Sequence, residues 1–126
     1  MEEAKKNVLI AEDSSVIQNL TKKILEIQDY KITSVKNGKQ VIDKLESQVY
    51  GVILMDINMP VMDGMECARQ IRASSNPQVA DIPIIAITGN ARNYTIDEFK
   101  EAGINEYLQK PLDFDTLVKL VKKYTS

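Results

Sequence analysis

Val52-Ile53-Leu54-Met55-Asp56 is the stretch on which the fold turns: four consecutive apolar residues closed by a carboxylate. A short run that is apolar throughout is the pattern of a strand covered on both faces. The same pattern lies upstream in Val8-Leu9-Ile10-Ala11, which runs into Glu12-Asp13. It recurs downstream in Pro83-Ile84-Ile85-Ala86-Ile87, which runs into Thr88-Gly89. Lys31-Ile32-Thr33-Ser34-Val35 and the stretch around Tyr107-Leu108 are weaker, more polar strand candidates. Between these runs, apolar residues recur at helical spacing. The first predicted helix has Val16, Leu20, Ile24 and Ile27 as its apolar face, and the second has Val41, Ile42 and Leu45. The third has Met65, Ala68 and Ile71, the fourth Ile96 and Phe99, and the fifth Phe114, Leu117, Val118 and Val121.

Strands that alternate with helices build βαβ units and hence a parallel sheet. Runs one, three and four are apolar throughout and suit the interior of the sheet; runs two and five carry polar residues and suit its edges. The expected fold class is α/β: a doubly wound five-stranded parallel sheet whose edge strands match the known flavodoxin-like order 2-1-3-4-5, a (βα)5 three-layer sandwich. Residues 74–81 (SSNPQVAD) are polar, contain Pro77, and are expected to form a surface loop before the fourth strand.

Composition narrows the function. A chain of 126 residues suits one compact domain. Sixteen basic against 18 acidic residues leave no basic excess for a nucleic-acid surface. There is no histidine, which excludes imidazole catalysis and imidazole zinc sites. Cys67 stands alone, so no internal disulfide forms, and it reads as a small apolar filler on the third helix. No apolar run approaches the roughly 20 residues of a membrane span, and MEEAKKN lacks the apolar core of a signal peptide. A cytoplasmic chain without direct contact to nucleic acid or membrane is expected.

In open α/β sheets, ligands bind beyond the carboxyl ends of the strands where the strand order reverses, here between strands one and three. Glu12 and Asp13 follow strand one and Asp56 closes strand three, so three carboxylates should converge. Like charges that close raise a pKa unless a cation intervenes. A hard divalent ion such as Mg2+, which takes oxygen ligands and keeps waters, is the natural remedy. Thr88 and Gly89 follow strand four, a hydroxyl to donate to an anion above Asp56 and space for that anion to enter. Lys110, before Pro111, follows strand five and brings an ammonium. Singly, each has an ordinary explanation: acid at a helix start, a turn residue, an N-cap, a solvated lysine, a helix-opening proline. Together, at the ends of four strands, they suit stabilisation of a transferring phosphoryl group. The methionines at 55, 59, 62 and 65 read as loop packing rather than soft-metal ligands.

These residues resemble the receiver domain of two-component response regulators, of the chemotaxis-regulator type. The likeness runs from Val8 to Tyr124 and rests on LIAED (9–13), MDINMPVMDG (55–64), ITGNA (87–91) and YLQKP (107–111). It implies a single receiver domain over residues 1–126, with 1–6 as an N-terminal tail and 7–124 as the core. It implies that Asp56 accepts a phosphoryl group from a histidine kinase or histidine phosphotransfer domain. Mg2+, with Mn2+ as the alternative, would be bound directly by Asp13, Asp56 and the backbone carbonyl of Asn58, and by Glu12 through water. Thr88 and Gly89 would meet the phosphoryl group and Lys110 would hold it. The Lys110–Pro111 bond would be cis, and Tyr107 would turn inward when Thr88 moves. Asn58 and Asn90 would flank the attack path and tune hydrolysis, and Tyr94 would share the face of Tyr107. A downstream protein would read the face of the fourth helix, fifth strand and fifth helix. The chain would be a signalling phosphoacceptor rather than an enzyme, and a monomer or weak phosphorylation-dependent dimer. MDINMPVMDGMECARQIR and IPIIAITGNA look like receivers of hybrid histidine kinases, which would tether the domain to a membrane only through its parent. Ser14-Ser15 stand where such receivers often have Asn-Pro, which keeps a free-standing regulator open.

Rival readings fit less well. A haloacid-dehalogenase-like phosphatase needs an acid two residues after its nucleophile, where Asn58 stands. A flavin module needs a phosphate-cradling loop after strand one, where Glu12-Asp13 would repel phosphate. A receiver that has lost its chemistry would not need the intact set of Glu12, Asp13, Asp56, Thr88 and Lys110.

Overall fold

The apolar runs pair with one another. β1 (Asn7–Ala11), β2 (Lys31–Val35), β3 (Val52–Asp56), β4 (Ile84–Thr88) and β5 (Glu106–Gln109) form one sheet in the order β2-β1-β3-β4-β5, with every pairing parallel. The computed structural model describes residues 5–89 and 94–126. β3 and β4 bury every residue, β2 buries only Val35, and β5 alternates. Apolar strands thus take the centre and polar ones the edges, as two-sided burial demands.

Five helices cover the sheet: α1 (Ser15–Ile27), α2 (Gly38–Ser47), α3 (Gly64–Arg72), α4 (Ile96–Glu101) and α5 (Phe114–Thr125). On one face Val41, Ile71 and Phe99 pack with Ile53 and Met55; on the other Leu25, Leu117 and Val121 pack with Val52 and Leu54. The period-2 alternation within β3 feeds both cores. Each helix opens on a side-chain cap: Ser14, Asn37, Asp63, Thr95 and Asp113 accept from backbone N–H groups of the first turn. Such caps contribute about 1 kcal/mol each. They fix where each chain segment leaves the carboxyl end of its strand. Cys67 is fully buried, and burial pushes its thiol up to about 12, in keeping with a filler.

Two expectations need correction. Three of the four residues of the apolar set on α1 face solvent, Val16 at 78% exposed, Leu20 at 47% and Ile27 at 77%, while Ile24 is half-buried. The buried face of α1 is Gln18, Thr21 and Leu25. Gln18 Nε2 donates to the backbone carbonyls of Glu12 (3.0 Å) and Val35 (2.9 Å), at the ends of β1 and β2. A buried amide needs acceptors, and these strand-end carbonyls supply them; Val35 O also accepts from the Glu12 N–H. The second correction concerns residues 74–81: Pro77–Ala80 form one helical turn, capped by Asn76, rather than an irregular loop. Proline in the first turn already has helical φ, and the Asn76 side chain accepts from Gln78 N–H.

Arg72, which sequence reasoning passed over, ties three segments together. Its guanidinium donates to the carbonyls of Gly103 (2.6 and 2.9 Å), Ala80 (2.7 Å) and Ile82 (2.7 Å) and to Asn105 Oδ1 (3.0 Å). The end of α3 is thereby joined to the approaches of β4 and β5. We expect Arg72→Met to lower unfolding free energy in urea by about 2–4 kcal/mol, because several carbonyls lose a charged donor at once. Arg72→Lys should recover less than half of that loss, since an ammonium cannot reproduce the planar fork.

Candidate functional site

Strand register assembles the site. Ala11 lies opposite Met55, so Glu12 and Asp56 emerge side by side at the carboxyl ends of β1 and β3. Asp56 lies opposite Ile87, and Thr88 opposite Gln109, which brings Thr88 and Lys110 into the same row. Backbone hydrogen bonds lock the row: Glu12 N–H to Val35 O (3.0 Å), Ile57 N–H to Ile87 O (2.9 Å) and Lys110 N–H to Thr88 O (2.8 Å). The Lys110–Pro111 peptide bond is cis.

Carboxylate oxygens of Glu12, Asp13 and Asp56 lie within 4.8 Å of one another. Glu12 and Asp56 are each only 2% exposed, whereas Asp13 is open to solvent. Lys110 Nζ donates to Asp56 Oδ2 at 2.9 Å and stands 3.3 Å from Glu12 Oε1. Asp56 Oδ1 accepts from the Asn58 N–H at 2.9 Å, and Glu12 Oε2 from the Ser14 N–H at 3.1 Å. Burial pushes the Glu12 carboxyl up to about 7, and neighbouring Asp56 adds to the rise against the Ser14 hydrogen bond and Lys110. Burial also weighs against charge on Lys110, but the hydrogen bond to Asp56 and the charges of Asp56 and Glu12 hold it above its ordinary range.

This donor set fits a hard divalent cation. Glu12 Oε1 is buried and, among the described residues, has the Lys110 ammonium at 3.3 Å as an ion pair without a well-aligned hydrogen bond. Three carboxylates face one ammonium. An oxygen-rich crevice with surplus negative charge and one open side matches the preference of Mg2+ for carboxylates and waters. Thr88 is buried at the end of β4, while a Cβ at Gly89 would meet nothing within 4 Å among the described residues. Asn90, named above, lies outside the described residues. Tyr107, on β5, is 38% exposed; its ring stacks on Phe99 at 5.2 Å, and Tyr94 tilts against Phe99 at 5.8 Å.

The response regulator receiver domain model matches residues 8–122, and this chain belongs to that family. It is 37% identical over 119 residues to hybrid signal transduction histidine kinase I of Dictyostelium discoideum, covering 90% of this chain but only 7% of that kinase. Among solved structures it is similar to the receiver domain of the sensor histidine kinase PA1611 of Pseudomonas aeruginosa, which holds magnesium in its active-site cleft. That similarity is 35% identity and a TM-score of 0.84, over 94% of this chain and 96% of the other. It is also similar to the Saccharomyces cerevisiae Ssk1 receiver domain, solved with the histidine phosphotransfer protein Ypd1. There the identity is 28% and the TM-score 0.83, over 94% of this chain and 88% of the other. The fold and site thus define a receiver domain of two-component signalling. No helix among the described residues is long and apolar enough to cross a membrane.

Ligands that bind only the native state stabilise it by mass action. Millimolar Mg2+ is expected to raise the thermal midpoint over that in chelator, by scanning calorimetry. Asp13→Asn should remove most of that gain. Lys110→Ala should enlarge it, because two buried carboxylates then lack their cation.

Proposed function

We propose that this domain accepts a phosphoryl group on Asp56 from the phosphohistidine of a histidine kinase or phosphotransfer protein, and signals by changing shape. The observation that carries this reading is Lys110 Nζ held 2.9 Å from Asp56 Oδ2 inside a three-carboxylate crevice. A carboxylate oxygen of Asp56 attacks phosphorus as the P–N bond of the donor breaks and the electron pair returns to the imidazole nitrogen. Lys110 moves its contact from the carboxylate to a phosphoryl oxygen and offsets the charge spreading there. Thr88 donates its hydroxyl to the same group, and Gly89 leaves the approach open. Asp13, Asp56 and the Asn58 carbonyl would hold Mg2+, or Mn2+ with similar oxygen preference, with Glu12 acting through water. When bound, such an ion would supply charge neutralisation for the transferring group. Water later hydrolyses the acyl phosphate; Asn58 and Asn90 are weak bases, so decay is slow and the domain serves as a switch rather than an enzyme.

Residues 1–126 act as one receiver unit in this reading, with 7–124 as its core. The phosphoryl group adds charge and acceptors at one site. Tyr107 gives up its stack on Phe99, worth about 0.5–1.5 kcal/mol, and turns inward behind Thr88. That loss is small enough for a population shift. The altered face of α4, β5 and α5 is what a downstream protein reads; Ile96, Tyr94 and Tyr107 lie on it, and a weak phosphorylation-dependent dimer would use it too. The exposed stripe Val16–Leu20–Ile27 begins beside the crevice, which supports docking of an apolar helix from the histidine-bearing partner.

Incubation with Mg2+ and a small phosphodonor should add one phosphoryl mass, about 80 Da, labile in acid and base. Asp56→Asn should show none; an adduct that survives this change overturns the assignment. Leu20→Asp should slow transfer from a phosphorylated histidine phosphotransfer protein about tenfold or more, the equivalent of about 1.4 kcal/mol. It should leave labelling by the small donor unchanged, as mass spectrometry over time would show.

A further inference from the structure

The loop between β3 and α3 is held at three points. Its neck is closed by Gly64 N–H donating to Ile57 O at 2.9 Å, and Asn58 N–H donates to Asp56 Oδ1 at 2.9 Å. At its tip Met62 N–H donates to Pro60 O at 2.7 Å across Val61, whose φ is +68°. That is a γ-turn of the rare positive-φ kind, and a β-branched residue there is strained. Val61 is 78% exposed, so its own packing does not stabilise the turn. Strain of this order persists only where surrounding structure over-determines it.

Gly38, the first residue of α2, is a further hold from outside the loop; its place near an element end suggests left-handed or tight-turn geometry rather than this contact. Its N–H donates to Met62 O at 3.2 Å, and its carbonyl accepts from the Cys67 thiol at 3.5 Å. A Cβ at Gly38 would stand 2.6 Å from Met62 O and 3.0 Å from Met62 Cβ. The φ of Gly38 is not in the left-handed range, so the glycine answers to the close approach of Met62 and not to a turn.

We propose that Gly38 is a positioning residue for the metal site. By admitting the Met62 carbonyl it clamps the strained tip of the loop and so sets where Asn58 presents its backbone carbonyl. The inference rests on the assignment of that carbonyl as a metal ligand in the proposed function. A methyl group at 38 must push Met62 O away by several tenths of an ångström. With the neck fixed at Gly64, a stiff turn at Val61 passes the shift along the loop toward Asn58. Glycine at 61 would let the tip yield locally instead.

The test is Mg2+ titration followed by amide NMR, beside urea unfolding. In the wild type the Gly38 amide resonance should shift with the same midpoint as that of Asn58. Gly38→Ala should raise the Mg2+ dissociation constant about tenfold, the scale of supporting-residue changes at metal sites, at temperatures where urea curves show it fully folded. Adding Val61→Gly should restore affinity to within about threefold of wild type, a non-additive pair. A Gly38→Ala protein that binds Mg2+ as the wild type does, or a double variant with additive losses, overturns the clamp. Should Gly38→Ala not fold, a Gly38 resonance indifferent to Mg2+ in the wild type overturns it equally. A wild type that neither binds Mg2+ nor forms the Asp56 adduct overturns the phosphoacceptor reading and the clamp with it. Normal wild-type behaviour with an indifferent Gly38 overturns the clamp alone.

Discussion

Mutual repulsion among Glu12, Asp13 and Asp56 is the constraint around which this domain is arranged. Two of the three carboxylates are almost wholly removed from water, and one lysine answers them. Like charges about 4 Å apart cost roughly 4 kcal/mol at an effective dielectric near 20. The protein relieves part of this by aiming Lys110 between Glu12 and Asp56, while burial raises the Glu12 carboxyl above its ordinary range. The residue of uncompensated charge is what makes the crevice receptive to a divalent cation.

A crevice that destabilises its own fold needs a scaffold that does not yield. β3 and β4 are buried along their whole length, and both strand ends are tied across the sheet by short backbone hydrogen bonds. Side-chain caps hold each helix start close to the site, and the Arg72 guanidinium binds the opposite end together. Local strain at Val61 belongs to the same economy: an unfavourable backbone beside the chemistry, compensated by packing elsewhere.

Surface apolar residues cluster where folding does not call for them. Val16 and Leu20 on α1 and Val61 in the loop after β3 are exposed. On α1 the inward face carries Gln18, whose amide donates to the Glu12 and Val35 carbonyls, and Thr21, whose hydroxyl donates to Ile17 O within the same helix. The outward stripe is then a surface feature, consistent with a domain whose work is contact with other proteins.

The alternation of short apolar runs with helix-period stretches was enough to determine the α/β class, the parallel sheet and which strands lie at its edges, because two-sided burial leaves a compositional mark on each strand; the full strand order came from the match to a known doubly wound fold. Which acidic, hydroxyl and ammonium residues stand at strand ends was equally legible, since a strand end is a position along the chain. Spacing could not tell which face of α1 is buried: periodicity finds an apolar stripe, but the Gln18 amide meets strand-end carbonyl acceptors of Glu12 and Val35 and lies inward with Thr21 and Leu25. Nor could it reveal Arg72 against Gly103, or Gly38 against Met62. Those contacts join residues 31 and 24 positions apart, through backbone groups that every residue carries, and only the packing of one element against another brings them within reach.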